Sequence, residues 1–340
     1  MTWKDSLLWP LSVPFGAVAH LRARAYRKGI LKQRRLDAVV ISVGNLTVGG
    51  TGKTPIVLWI VERLLSEGKS VGILTRGYRG KKFASSGGES GGDDSSSDEV
   101  QLLKSRLGDR VSFGIGADRF ERGRALTARG VGWFVLDDGF QHMQLARDVD
   151  IVLIDATNPF RGGHVLPAGR LREPRTALSR ADIMVITRSH HAPAIEAAIR
   201  RDSDAPIFYA RVEMDSVFAP FHPHLTEREA RERRLFAFCG IGNPSAFVSD
   251  LRDWGLQICG YRFFPDHHRY SAADINAIEQ EAKSAGASGV ICTEKDSFNY
   301  TGVWRSMDLW VCSISIQIDR QDDLWRTVME IAQLPQGSER

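Results

Sequence analysis

Short apolar runs recur along the chain, each bounded by turn-forming residues and separated by stretches with helical spacing. Residues 38–43, 71–74, 111–114, 133–136, 151–154 and 183–186 are apolar, β-rich and too short for helices, so they are read as strands. Residues 54–66 place their apolar positions at helical spacing. After about residue 190 the rhythm resumes, with strands expected at 207–212, 235–239, 257–261, 289–292 and 309–316. Helices fit 191–201, 244–253, 272–285 and 322–332. Buried strand runs alternating with helices predict parallel βαβ units, hence an α/β fold with a mostly parallel sheet and helices on both faces. The expected division is a core at 36–190 and a second, smaller α/β domain at 191–340. Residues 85–97, SSGGESGGDDSSS, have nothing to bury and read as a mobile linker.

The first 35 residues form a separate problem. Residues 6–21 are mostly apolar but fall short of the roughly 20 that a spanning helix needs, and Pro10 and Pro14 interrupt them. Ala17-Val18-Ala19 mimics a signal-peptide cleavage site, although Asp5 and the two prolines oppose that reading. A helix packed on the protein is a further alternative. The favoured reading is a membrane-docking helix at 1–35: Trp3, Trp9 and Phe15 at headgroup level, followed by seven basic residues and no acid from Arg22 to Arg35.

Composition adds little. At 340 residues, 43% hydrophobic and 25% charged, the chain has room for two ordinary soluble domains. A net charge of +4 does not argue for nucleic acid, and the basic run lacks the interleaved aromatics of a single-strand groove. The four cysteines stand singly in or beside apolar stretches with no C-x-x-C pair, so they read as buried thiols in a reducing compartment.

Chemistry enters with VGNLTVGGTGKTP. Gly49, Gly50, Thr51, Gly52, Lys53 and Thr54 follow a strand and open a helix, the context in which backbone N–H groups cradle phosphates. Lys53 reaches the β/γ-phosphates and the Thr54 hydroxyl can hold Mg²⁺, so ATP and Mg²⁺ are the expected cofactors of a P-loop NTPase-type core. Thr47 stands where the motif has its first glycine, which relaxes only the first tight turn. Pro55 falls in the helix's first turn, where its missing N–H is tolerated. A second strand ends in Asp137-Asp138, carboxylates placed for Mg²⁺, followed by Gly139, Gln141 and His142. Where a GTPase carries N-K-x-D the chain reads Thr187-Arg188-Ser189-His190, and Val48 replaces the lysine of dimerising partition ATPases. A kinase or synthetase remains.

With LDDGFQH, LPAGRLREPRTAL and FFPDHHRYSAADI added to the loop, the chain resembles the tetraacyldisaccharide 4'-kinase family from about residue 7 to 296. The resemblance implies ATP-dependent phosphorylation of the 4'-hydroxyl of a tetraacylated glucosamine disaccharide 1-phosphate, the lipid A precursor, forming lipid IVA. It places the reaction at the cytoplasmic face of the bacterial inner membrane; with the docking helix this reads as peripheral attachment to an anionic surface, and no obligate protein partner is expected. It makes Asp98 the base facing the acceptor hydroxyl and His267 its partner, a chemically sensible pairing for a poor nucleophile. Glu173 becomes a further metal-side candidate, and Arg119, His142 and Arg172 phosphate or substrate contacts. Alternatives accompany these roles: a surface pairing of Arg119 with Glu121 or another carboxylate, and solvated histidines at 267 and 268. Ser97 departs from the glycine that usually precedes the family's Asp-Glu pair. The TEKD segment at 293–296 also resembles the family but is assigned no catalytic role. The rival function is a membrane-attached nucleotide switch that hydrolyses ATP to alter partner binding.

Overall fold

The computed structural model describes residues 3–77, 97–160, 162–300, 304 and 306–334, with backbone only for 3–7. The expected linker at 85–97, apart from Ser97, and the Trp3 side chain lie outside the described residues. The chain runs through helix α1 (Trp3–Arg27), strand β1 (Val39–Asn45), helix α2 (Lys53–Ser66), strand β2 (Val71–Thr75) and helix α3 (Asp98–Leu107). Strand β3 (Ser112–Ile115), helix α4 (Arg119–Thr127) and strands β4 (Trp133–Asp137), β5 (Val149–Asp155) and β6 (Ile183–Thr187) follow. Next come helix α5 (Pro193–Ile199), strand β7 (Ile207–Phe218), helix α6 (Glu227–Glu232), strand β8 (Arg234–Cys239) and helix α7 (Pro244–Asp253). Strand β9 (Gln257–Phe263), helix α8 (Ala272–Ser284), strands β10 (Gly289–Thr293) and β11 (Asp308–Ile318) and helix α9 (Gln321–Ala332) complete the order. Every strand run read from the sequence forms a strand.

The chain folds into two compact units, and they are interleaved. The first comprises Met1–Gly77, Leu107–Val212 and Ile316–Arg340, the second Tyr78–Arg106 and Glu213–Ser315. This differs from the expected contiguous blocks at 1–35, 36–190 and 191–340. The changeovers after Val212 and after Ser315 fall inside β7 and β11, where strand composition continues without a linker signal. Helix α9, although last in the chain, packs on β1 and β5 of the first unit.

In the first unit the strand order is β3-β2-β4-β1-β5-β6-β7. The pairings from β3 to β7 are parallel. The chain passes from β1 to one side and later returns to the other, so the crevice beyond the carboxyl end of β1 lies at a topological switch point. Register sets Val43 beside Asp137, which puts the β4 acids next to that end. Helix α2 buries Ile56, Val57, Ile60, Val61 and Leu64, one face at helical spacing. Each such side chain stabilises by about 1.5–3 kcal/mol on burial, and Ile60→Ala would cost about 2–5 kcal/mol.

Helix α1 runs for 25 residues with Pro10 and Pro14 inside it, so the prolines do not interrupt the helix as expected. Each removes a backbone donor, while packing of the narrow stripe Ser12, Gly16 and Ala23 holds the segment in place. The Ser12 hydroxyl accepts a hydrogen bond from the Ala168 amide at 2.9 Å. At Gly16 a Cβ would meet Val165 at 3.3 Å, so a larger residue would lift the helix off its seat. The other faces leave Trp9, Leu11, Val13, Phe15, Val18 and Leu21 exposed. Among the described residues no helix is long and apolar enough to cross a membrane.

In the second unit the order is β11-β10-β8-β9, again with parallel pairings. Alternate residues of β8 enter two cores, Leu235, Ala237 and Cys239 with α7 on one face, Phe236 and Phe238 with α8 on the other. Both faces are therefore covered, as parallel strands require. Cys239, Cys292 and Cys312 are buried and unbridged, and burial pushes the Cys312 thiol up to about 12.

Candidate active site

The first unit assembles the phosphate loop from the end of β1 to the start of α2. Gly49 and Gly52 adopt positive φ, 112° and 79°, and Gly52 caps α2 in the left-handed region that a side chain strains. The loop is tied down at both ends: Val48 N donates to Arg170 O at 2.8 Å, and the Thr187 hydroxyl donates to Thr51 O at 3.1 Å. The Thr51 hydroxyl is buried and has no hydrogen-bond partner among the described residues. A buried polar atom left this way is expensive unless a ligand completes it.

Lys53, Asp138 and Arg172 converge beside the loop. Lys53 Nζ lies 3.4 Å from Asp138 Oδ1 and 3.4 Å from Asn45 Oδ1. Arg172 Nη1 lies 2.6 Å from Asp138 Oδ2 and 3.3 Å from Gln141 Oε1. Gln141 in turn donates to Asn45 O at 3.0 Å. Burial alone would raise the Asp138 pKa, but the Lys53 and Arg172 charges outweigh it and hold the carboxyl below its ordinary range. Asp138 has a positive φ of 51°, a conformation that non-glycine residues seldom adopt without a supporting site. Asp137 is buried beneath it, 3.4 Å from the Thr75 hydroxyl.

Two expected site residues stand in other pairings. Both Glu173 oxygens accept from Arg180 at 2.9 Å, an ion pair that takes one acceptor position on each oxygen. Arg119 is buried and meets His142 Nδ1 at 2.9 Å, and Glu121 pairs with Arg34 and Arg124. Burial and the charges of Arg119, Arg147 and Arg22 push the His142 pKa down to about 4. The imidazole is thus neutral at ordinary pH, accepting from Arg119 through Nδ1.

The second unit brings Asp98 and His267 together. Asp98 opens α3 and is 5% exposed; His267 Nδ1 lies 2.8 and 3.0 Å from its two carboxylate oxygens. The Glu99 amide donates to Oδ1 at 2.9 Å and Asn299 to Oδ2 at 3.0 Å. Burial would raise the Asp98 pKa, yet the His267 hydrogen bond and the Lys295 charge bring it below its ordinary value. The same hydrogen bond raises His267. His267 holds a φ of 61°, and its amide donates to Gly240 O at 3.0 Å. Asp296, fully buried, fixes that loop by accepting from Gly240 N at 2.9 Å, Tyr270 at 2.8 Å and Thr293 at 2.6 Å.

Lys295 and Asn299 were missed by sequence reasoning. The available signal was the polar TEKD segment directly after an apolar strand, at the carboxyl end where α/β sites collect.

The family model for tetraacyldisaccharide-1-P 4'-kinase matches residues 4–333. A tetraacyldisaccharide 4'-kinase of Anaeromyxobacter sp. (strain K) is 40% identical over 299 residues, 84% of this chain and 78% of that protein. One from Pelobacter propionicus is 39% identical over 308 residues, 88% and 84% of the two chains. Among solved structures, LpxK from Aquifex aeolicus in complex with ATP aligns with a TM-score of 0.70 and 28% identity, covering 96% of this chain and 99% of that one. A match that spans both units leaves one assignment: the chain belongs to the tetraacyldisaccharide 4'-kinase family.

Proposed function

We propose a division of labour between the two units in the family's kinase reaction. The chain is an ATP-dependent kinase that phosphorylates the 4'-hydroxyl of tetraacyldisaccharide 1-phosphate, forming lipid IVA. The first unit holds the nucleotide: the 49–54 loop donates backbone N–H groups to the phosphates, and Lys53 and Arg172 neutralise charge on the transferring group. Thr54, Asp137 and Asp138 are the oxygen donors that would hold Mg²⁺, and the orphaned Thr51 hydroxyl with the half-buried Asp138 carboxylate fits a site completed by a ligand. Bound there, Mg²⁺ would supply charge neutralisation at the phosphate oxygens. Arg119, with neutral His142 beside it, serves an anionic group of either substrate.

The second unit serves the acceptor. Asp98, ionised and oriented by His267, takes the proton of the 4'-hydroxyl as its oxygen attacks phosphorus. The observation that carries this reading is the Asp98–His267 contact at 2.8 Å, buried on the carboxylate side.

Acyl chains in a bilayer are best met at the surface, since extraction costs about 0.8 kcal/mol per exposed CH₂. The exposed apolar faces of α1 and the basic residues after them support docking on the anionic cytoplasmic face of the inner membrane. Label transfer from γ-³²P-ATP tests the reaction class. Label appearing in the lipid in proportion to ATP consumed supports the kinase, whereas free phosphate released regardless of lipid would support the rival nucleotide switch.

A further inference from the structure

Lys295 sits in the TEKD segment that the phosphoryl-transfer roles above leave unused. Its ammonium faces Asp98 Oδ2 at 3.7 Å, Glu99 at 3.8 Å and Asp266 at 3.2 Å, and lies 3.5 Å from His267 Nε2. Asp266 also approaches His267 Nε2 at 3.9 Å. The groups around the ammonium are therefore Asp98 and Glu99 from α3, Asp266 and His267 from the segment after β9, and Asp296 from its own turn. Three carboxylates within 4 Å of one half-buried lysine, those of Asp98, Glu99 and Asp266, make the cation the hub of the cluster. Thr293 and Asp296 hold the lysine's own turn through their 2.6 Å hydrogen bond, so its placement is built into the fold.

We infer that Lys295 is a positioning residue of the acceptor base: it holds Asp98 as a carboxylate, and it opposes proton uptake at His267 from the Nε2 side. The inference rests on the reading of Asp98 as that base.

The chemistry requires such a group. In the transfer step the acceptor O–H bond breaks and its proton passes to Asp98. The freed electron pair forms the new O–P bond, and the old P–O bond breaks to release ADP with its electrons. A pair that already carries the extra proton cannot accept another. His267, donating through Nδ1 to Asp98, is drawn toward protonation by that carboxylate and by Asp266. The Lys295 charge opposes this at both partners, lowering Asp98 and His267 alike. The surrounding carboxylates in turn keep the lysine itself protonated despite burial.

The test is the pH dependence of kcat for the full chain at saturating ATP and lipid acceptor, comparing wild type with Lys295→Met, Lys295→Arg and Asp266→Asn. Titration of the substrates themselves cancels in this comparison. Lys295→Met should move the acidic limb upward by about one pH unit, with activity regained at alkaline pH. Lys295→Arg should return the limb toward wild type. Asp266→Asn, which removes a partly exposed anion, should move it the other way, and this arm stands even if Lys295→Met fails to fold. Equal loss at every pH with an unmoved limb would make Lys295 merely structural. A raised KM for the lipid with an unmoved limb would make it a substrate contact. Either result overturns the inference. Asp98→Asn separates the two levels: an active Asp98→Asn removes the base reading itself, while an inactive one beside an unmoved Lys295→Met limb removes only the role of Lys295.

Discussion

The Lys53 ammonium lies 3.4 Å from Asp138 Oδ1, joining the phosphate loop to the acidic end of β4 through a single ion pair. The partner carboxylate is also held by Arg172 at 2.6 Å, so it does not depend on the lysine alone. Lys53→Ala should therefore keep its fold and melting temperature while losing about 10²–10³-fold in kcat, the usual cost of one preorganised charge-stabilising donor. Turnover near wild type at saturating ATP and lipid would remove the phosphate-loop assignment.

Asp296 is a buried carboxylate with three donors, and its own pKa is raised by burial despite them. Asp296→Ala leaves the Tyr270 hydroxyl and the Gly240 amide without this acceptor. The expected destabilisation is about 2–4 kcal/mol, from the buried hydrogen bonds lost with this carboxylate. Urea unfolding followed by fluorescence checks this; an unchanged midpoint would mean the network contributes nothing.

His142 gives a pH prediction of definite sign. Its pKa is about 4 in the folded protein against an ordinary 6.5, so the unfolded chain binds more protons between these values. This contribution is fully present above pH 6.5, is lost as pH falls toward 4, and is constant below that. His142→Asn should flatten that part of the stability curve. Melting temperatures of the two proteins across pH 4–7.5 check it, because the difference between the curves isolates this residue. Parallel curves would contradict the lowered His142 pKa.

Helix α1 should bind anionic vesicles, and high salt should weaken the binding, since each basic residue near the surface contributes roughly 1 kcal/mol. Replacing exposed Trp9 and Phe15 by serine should reduce binding without disturbing the packed Ser12–Gly16–Ala23 stripe. Deleting Met1–Leu21 should abolish most binding and impair use of the lipid while sparing ATP binding. Retention that survives both high salt and alkali would contradict surface docking.

What the sequence disclosed, and what it did not, follows from the range of the interactions. Strands such as β1 and β8 were legible because both their faces are buried and their residues are mostly apolar. The phosphate loop was legible because neighbouring residues carry its chemistry. Helices α3 and α4 were not, since Asp98–Leu107 and Arg119–Thr127 are rich in charge and bury only narrow stripes. The Glu173–Arg180 pairing and the Lys295 cluster escaped notice because side-chain partners are chosen by packing, which motif spacing does not encode. The interleaved units were hidden for a related reason: the changeovers lie within strands.

The acceptor base is tested most directly by steady-state kinetics and ATP-binding measurements on Asp98→Ala, His267→Ala and the double variant. Asp98→Ala should lower kcat by at least about 10²-fold while leaving the ATP dissociation constant unchanged, because a base acts on the acceptor hydroxyl. The double variant should be little worse than the worse single one, since the two residues act as a unit. Weakened ATP binding with kcat preserved, or fully additive losses, would contradict the Asp98–His267 base.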